Sequence, residues 1–394
     1  MASQSQSHPS GAAPELPGRI WVEDAGRRRP FMRGIMVHSL MACGMPFEDA
    51  YRVANRMRDR LRGRDVVSKT ELATSLRTLV GAAPFTEDGE VSFTPDIQVT
   101  GAGRLAFSKG ILSQSLLAAA LDPNEAFDVA REIERAVLAR GRREIDRGDL
   151  RELTHRTLAE TSGAAAAQRY LVWRRHQESN RPLLLLLGGA TGVGKTSLAL
   201  EVAHRLGIGR VLSTDSIRQI MRIMLSPDLV PTLHASSYDA WQAVAPGREG
   251  DDVVVEAFRT QATSVCVGAR ASLDRAMAEN SSLVLDGVAI VPGLLDLDAY
   301  ADSADVIFLM VAALDEQAFA ARFGSRAKTA QARSEHRYLQ HLDDILRIQD
   351  HLLDLADHHD VPIVDNVSFD RSVLFIIRHA VEALRQREKS DGDG

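Results

Sequence analysis

Cysteine is nearly absent from this chain, lysine is rare, and there is neither an excess of positive charge nor a long apolar run. Only Cys43 and Cys266 occur, far apart and without CxxC spacing. That excludes a disulfide framework or a cysteine zinc site, and a reducing compartment is expected. Apolar stretches such as Leu183 to Leu187 fall far short of the roughly 20 residues that span a bilayer. No membrane span is expected. A formal charge of −6 leaves no global basic field to hold a nucleic-acid backbone. Lysine and arginine together number 47, yet the lysines are only Lys69, Lys109, Lys195, Lys328 and Lys389. The Ser/Gln/Pro/Ala-rich stretch at 1–18 has no basic or apolar region of a secretory leader. It reads as a disordered tail of a cytoplasmic protein.

What is present is ordinary globular material, 45% hydrophobic and 25% charged over 394 residues, enough for two or three domains. An internal repeat organises the first part. Arg33-Gly34-Ile35-Met36 lines up with Lys109-Gly110-Ile111-Leu112, and the register continues through Ala50/Ala126, Val53/Val129 and Ala54/Ala130. Each copy reads as a short hairpin, an apolar alternation broken by glycine, followed by three helices. The stripe Ala50, Val53, Ala54, Met57, Leu61 has the 3-4 spacing of a buried helix face, and its echo is Ala126, Val129, Ala130, Ile133, Val137.

From Pro182 the pattern changes to alternating strands and helices. Strands are expected at Leu183–Leu187, Val211–Ser213, Leu283–Asp286, Val306–Val311 and Pro362–Val364, with helices over Asp251–Glu279 and His336–Ala356. Such alternation argues a parallel sheet covered by helices on both faces. The boundaries that follow are a tail at 1–18, repeats at 19–80 and 96–160 joined by a linker at 81–95, and a connecting helix at 161–181. The strand–helix domain at 182–388 and a short tail at 389–394 complete the chain.

Gly189-Ala190-Thr191-Gly192-Val193-Gly194-Lys195-Thr196 satisfies GxxxxGK[ST], follows a predicted strand and opens an apolar-periodic helix. Glycines let backbone N–H groups turn inward around phosphate oxygens, and the helix N-terminus adds partial positive charge. Lys195 supplies a point charge to the β- and γ-phosphates, and the Thr196 hydroxyl can ligate Mg²⁺. A lysine here, in a chain that otherwise uses arginine, argues for an ammonium requirement. The segment therefore reads as a nucleoside-triphosphate site.

Asp215 and Arg218 lie three residues apart at the next helix start, where ligands of open α/β sheets bind. The carboxylate can accept a hydroxyl proton and the arginine can clamp an anion, although an N-cap role for Ser213 or Asp215 is the competing reading. Asp286 ends an apolar strand and could hold Mg²⁺. Arg322 and Arg326, with Arg333 and Arg337 nearby, could act as lid cations stabilising a moving phosphoryl group. The histidines His336, His341, His351, His358 and His359 read as a solvated helix face, Cys266 as a packed small hydrophobe, and Met221 and Met224 as core.

The ordered segments PFMRGIMVHSLMACGM, RYLVWRRHQ, LGGATGVGKTSLALEVAHRLGI, STDSIRQIMR, PTLHASSYDAW, GVAIVPGLL, HRYLQHLDDILRIQDHLL and VPIVDN run from about Arg29 to Asn366. This set resembles the 2-phosphoglycerate kinases, which carry an ATP-cone-like N-terminal region ahead of a P-loop kinase domain. The resemblance implies an α/β fold: a P-loop kinase parallel five-stranded sheet with helices on both faces, preceded by a mainly helical domain of two ATP-cone-like repeats. It also implies transfer of the ATP γ-phosphate to the 3-hydroxyl of 2-phosphoglycerate. Gly189 to Thr196, with Ser197, would then hold ATP and Mg²⁺, the latter with Asp286. Asp215 would orient or deprotonate the acceptor, Arg218 would engage its anionic groups, and Ser236, Ser237 and Tyr238 would line the acceptor side. The expected partner is a small phosphorylated substrate, without nucleic acid or membrane, and a homo-oligomer is compatible with the sequence. Two rivals stay open at this point: another acceptor such as an inositol phosphate, or a non-catalytic ATP-sensing regulatory protein.

Overall fold

A segment with no polar side chain, Leu183–Leu187, must be covered on both faces, and the elements around it are arranged to meet that requirement. The computed structural model describes residues 20–24, 27–42, 45, 47–80, 97–101, 103–139, 144–244, 251–315, 319 and 340–392. The readings at 1–18 and 81–95, and those on Arg322, Arg326, Arg333, His336 and Arg337, lie outside the described residues.

The chain divides into two compact units, Met1–Val99 with Gly103–Phe107, and Thr100–Ala102 with Ser108–Gly394. The first unit holds the first repeat: β1 (Trp21–Asp24), β2 (Arg27–Pro30), α1 (Arg33–Ala42), α2 (Phe47–Arg60), β3 (Val66–Ser68) and α3 (Lys69–Val80). β1 and β2 form the expected hairpin, with Trp21 opposite Pro30. β3, which the sequence did not betray, runs parallel to β1 with Trp21 opposite Val66. Three residues are too few to show a period, so only the ladder identifies the strand. Ala50, Ala54, Met57 and Leu61 are buried in the cluster beneath, as their spacing required.

The second copy repeats that order with β4 (Gln98–Thr100), β5 (Leu105–Ala106), α4 (Lys109–Leu117), α5 (Pro123–Ala139), β6 (Glu144–Asp146) and α6 (Arg147–Thr161). Its helices belong to the second unit, together with the connecting helix α7 (Ala164–Glu178). Within that unit Gln114 Nε2 donates to the His204 carbonyl at 3.3 Å, and Arg169 Nε donates to the Ala119 carbonyl at 2.7 Å.

The sheet of the second unit consists of β7 (Leu183–Gly188), β8 (Val211–Ser213), β9 (Leu283–Gly287), β10 (Asp305–Ala312) and β11 (Ile363–Asp365). All pairs are parallel, and the spatial order is β11-β10-β7-β9-β8. Each strand lies within a residue or two of its expected position. The helices are α8 (Lys195–Leu206), α9 (Thr214–Met224), α10 (Ala240–Val244), α11 (Asp251–Ala278), α12 (Leu342–His358) and α13 (Phe369–Gly392). α13 takes in most of the stretch read as a tail at 389–394.

Beneath the sheet, a buried carboxylate ties three elements together. Asp305, at the start of β10, pairs with His176 of α7 at 3.1 Å, with Arg387 of α13, and with Arg181 at 3.7 Å. Burial alone would push this carboxyl up. The His176 hydrogen bond and the Arg387 charge outweigh it and hold the group below the ordinary carboxylate range.

Candidate active site

β7 delivers the chain to the carboxyl edge of the sheet, between β9 and β10, and there it must turn sharply. Gly189 does this at φ +141°, where a Cβ would overlap the Val311 carbonyl oxygen. The loop closes on Gly194, which caps α8 in the left-handed region with no side-chain hydrogen bond at the cap. Lys195 is the first residue of α8 and is 8% exposed. Its Nζ spans the loop and donates to the Ala190 carbonyl at 2.6 Å. Thr196 and Ser197 follow on the exposed side of the helix start.

Asp286 lies in register with Leu187 on one side and Ser213 on the other, at the end of β9. It is 1% exposed, and its Oδ2 accepts from the Thr196 hydroxyl at 2.6 Å, while its buried Oδ1 has no hydrogen-bond partner among the described residues. Burial pushes this carboxyl up; the Thr196 bond and the Lys195 charge pull it back, and the negative charge of Asp215 adds to the rise. Two hard oxygen donors, one of them buried and unpartnered, fit a Mg²⁺ site better than any soft-ligand alternative. Directly after Asp286, Gly287 leaves room for Thr214, whose Oγ1 would collide with any Cβ there.

Ser213, not Asp215, caps α9: its side chain accepts from the Ser216 N–H at 3.2 Å. That leaves the Asp215 carboxylate uncommitted to the helix end and 74% exposed, with Arg218 Nε 3.8 Å away. Arg218 itself is mostly buried, and its Nη1 donates to the Leu233 and Ala235 carbonyls at 3.1 and 3.0 Å. Gln261 of α11 donates to the Thr232 and Ala235 carbonyls as well. These bonds hold the turn that leads to Ser237, whose hydroxyl lies 3.1 Å from Thr191 Oγ1 in the phosphate loop. Tyr238 is buried, and its ring packs on His341 at 5.2 Å between centroids.

A family model described as an ATP cone domain matches residues 103–179. A 2-phosphoglycerate kinase from Pyrococcus furiosus is 34% identical over 297 residues, 75% of this chain and 96% of its own. The corresponding kinases of Methanocaldococcus jannaschii and Methanococcus maripaludis are 35% and 37% identical, covering 75% and 73% of this chain and 95% and 94% of theirs. The chain belongs to the 2-phosphoglycerate kinase family. Membership makes it a kinase, a phosphotransferase. Among solved structures, a gluconokinase from Sinorhizobium meliloti aligns with 52% of this chain and 97% of its own, at 16% identity and a TM-score of 0.29.

The structure thus brings Lys195, Thr196, Asp286 and Asp215 to one edge of the sheet. Arg218 is nearby, with one of its terminal nitrogens engaged by the backbone. His341 is more than a solvated helix face: besides its contact with Tyr238, its Nδ1 lies 3.3 Å from Asp344 Oδ2. Among the described residues no group of His, Cys, Asp or Glu is arranged to hold a metal by itself. Cys266 is buried as expected, its thiol bonded to the Ala289 carbonyl at 3.1 Å and pushed up to about 12 by burial. Met224 corrects its reading as core, being 78% exposed, while Met221 packs on the core from α9. Sequence reasoning missed the contacts of Gln261 and Asn366; Asn366 ends the segment VPIVDN, but only its place beside a loop of the site, like that of Gln261, gives it away.

Proposed function

We propose that the protein transfers the γ-phosphate of ATP to the 3-hydroxyl of 2-phosphoglycerate, yielding 2,3-bisphosphoglycerate and ADP. The observation that carries this is the joining of Lys195, Thr196 and Asp286 into one cradle with Asp215 beside it, in a chain whose relatives bear that name.

In this reading the loop Gly189–Thr196, with Ser197, binds the triphosphate through backbone N–H groups and the start of α8. Lys195 gives up its bond to Ala190 for the β- and γ-phosphate oxygens. Thr196 and Asp286 would hold Mg²⁺, which would supply charge neutralisation to the phosphates. Asp215, uncommitted at the start of α9, accepts the proton of the attacking hydroxyl or orients it. Arg218 keeps the Leu233–Ala235 turn in place and offers the rest of its guanidinium to the acceptor's anionic groups. Ser236, Ser237 and Tyr238 form the acceptor wall. Arg322 and Arg326 are assigned from sequence as the lid cations. The division into two cone-like repeats and a kinase domain at 182–388 is part of this reading, as is a cytoplasmic site of action, supported by the scarcity of cysteine.

Product identification tests it. Incubation of the purified chain with ATP, Mg²⁺ and 2-phosphoglycerate, followed by phosphorus NMR, is expected to give ADP and a bisphosphorylated glycerate in equal amounts. Turnover of another phosphorylated alcohol, with 2-phosphoglycerate untouched, would overturn the substrate. ATP bound without transfer to any acceptor would favour the sensor reading instead.

A further inference from the structure

Asn366 follows β11, far along the chain from the phosphate loop, and is only 5% exposed. Its backbone N–H donates to the Ala312 carbonyl at 2.9 Å, fixing it to the end of β10. Its side-chain Nδ2 donates to the Val193 carbonyl oxygen at 2.8 Å. The peptide so held is the one preceding Gly194, whose φ is +95° and whose Cβ, had it one, would lie 2.7 Å from the same Nδ2. In a planar trans peptide the C=O and the following N–H point in opposite directions. Holding the Val193 oxygen on Asn366 therefore turns the Gly194 N–H the other way, into the loop that Lys195 spans. No side chain caps this end of α8, so the direction of that amide depends on what grips its peptide.

We propose that Asn366 is a positioning residue of the phosphate loop, acting through the Val193–Gly194 peptide to aim the Gly194 N–H at the β-phosphate of a bound nucleotide. The proposal rests on the reading of this loop as the ATP site and adds to it a residue 173 positions further along the sequence. Amides of such loops cradle the α- and β-phosphates. A nucleotide that lacks the β-phosphate does not meet this donor, so the effect of Asn366 is confined to ligands that carry one.

Calorimetric titration of the full chain with ADP and with AMP, in wild type, Asn366→Ala and Asn366→Asp, reads the effect directly, with melting temperatures recorded alongside. Asn366→Asp has the same shape but faces the Val193 oxygen with an acceptor, so it serves where Asn366→Ala does not fold. The expected result is ADP weakened about tenfold, the scale of one lost buried hydrogen bond, with AMP changed by less than about twofold. An equal loss for ADP and AMP would make Asn366 a contact of the base or a purely structural residue, and an unchanged ADP-over-AMP preference would remove the role. Either result leaves the kinase reading standing. A wild-type protein with no preference for ADP over AMP would take down the ATP site itself, and this inference with it.

Discussion

Asp286 works against itself: the burial that would ready it for a cation makes its own ionisation costly, and its Oδ1 has no partner among the described residues. Asp286→Asn should therefore lower kcat by at least about 100-fold while raising stability by on the order of 1 kcal/mol, a trade-off expected at functional sites. Steady-state assays beside urea melts check both halves, and a variant that is merely destabilised would contradict the assignment. Lys195→Met should lose about 10²–10³ in kcat, the scale of removing one charge-stabilising donor, with the melting temperature nearly unchanged. Lys195, Thr196 and Asp215 stood out in the sequence because the motifs that carry them have fixed spacing, and the structure places all three at one edge of the sheet. Asn366 and Gln261 were not, since each acts through a backbone carbonyl supplied by a segment far away in sequence.

Among the elements, β7, β9 and β10 were found because a parallel strand buried on both faces is written as an apolar run, whereas the edge strands β8 and β11, only partly buried, were found from the alternation of strands with helices. β3 and β6, as short as those edge strands, lie outside that alternation and were not found. α9 was read correctly as a helix but misread in its packing: Ile217 is buried against Gly268, whereas Met224, two turns on, points outward. The junction of α7, β10 and α13 rests on Asp305, and breaking a buried ion pair on one side typically costs about 3–5 kcal/mol. Asp305→Asn should show a loss of about that size at pH 7 by urea denaturation. The folded carboxyl is held below its ordinary range, so its contribution is present above the unfolded value near pH 4 and fades as pH falls through the lowered one. The variant's disadvantage should accordingly shrink in acid; a constant gap from pH 7 to 3 would contradict the pairing as its source.

For the whole molecule, the repeat was visible as a register of matched residues, but not that the helices of its second copy would join the kinase sheet in one compact unit while the first copy stands in the other. About 300 residues suffice for the archaeal relatives, and a quarter of this chain lies outside that match. Removal of residues 1–80 is expected to leave kcat within about twofold of the full chain. A folded but inactive product would instead make the first repeat part of the catalytic apparatus.

In the proposed reaction Asp215 faces the acceptor while the loop from Gly189 holds the donor. Single-turnover transfer from radiolabelled ATP to 2-phosphoglycerate, compared between wild type and Asp215→Asn at saturating ATP, tests it most directly. This arrangement predicts a rate lowered by about 10²–10⁴, the contribution of a general base, with ATP affinity unchanged; a variant that transfers phosphate as fast as wild type would contradict it.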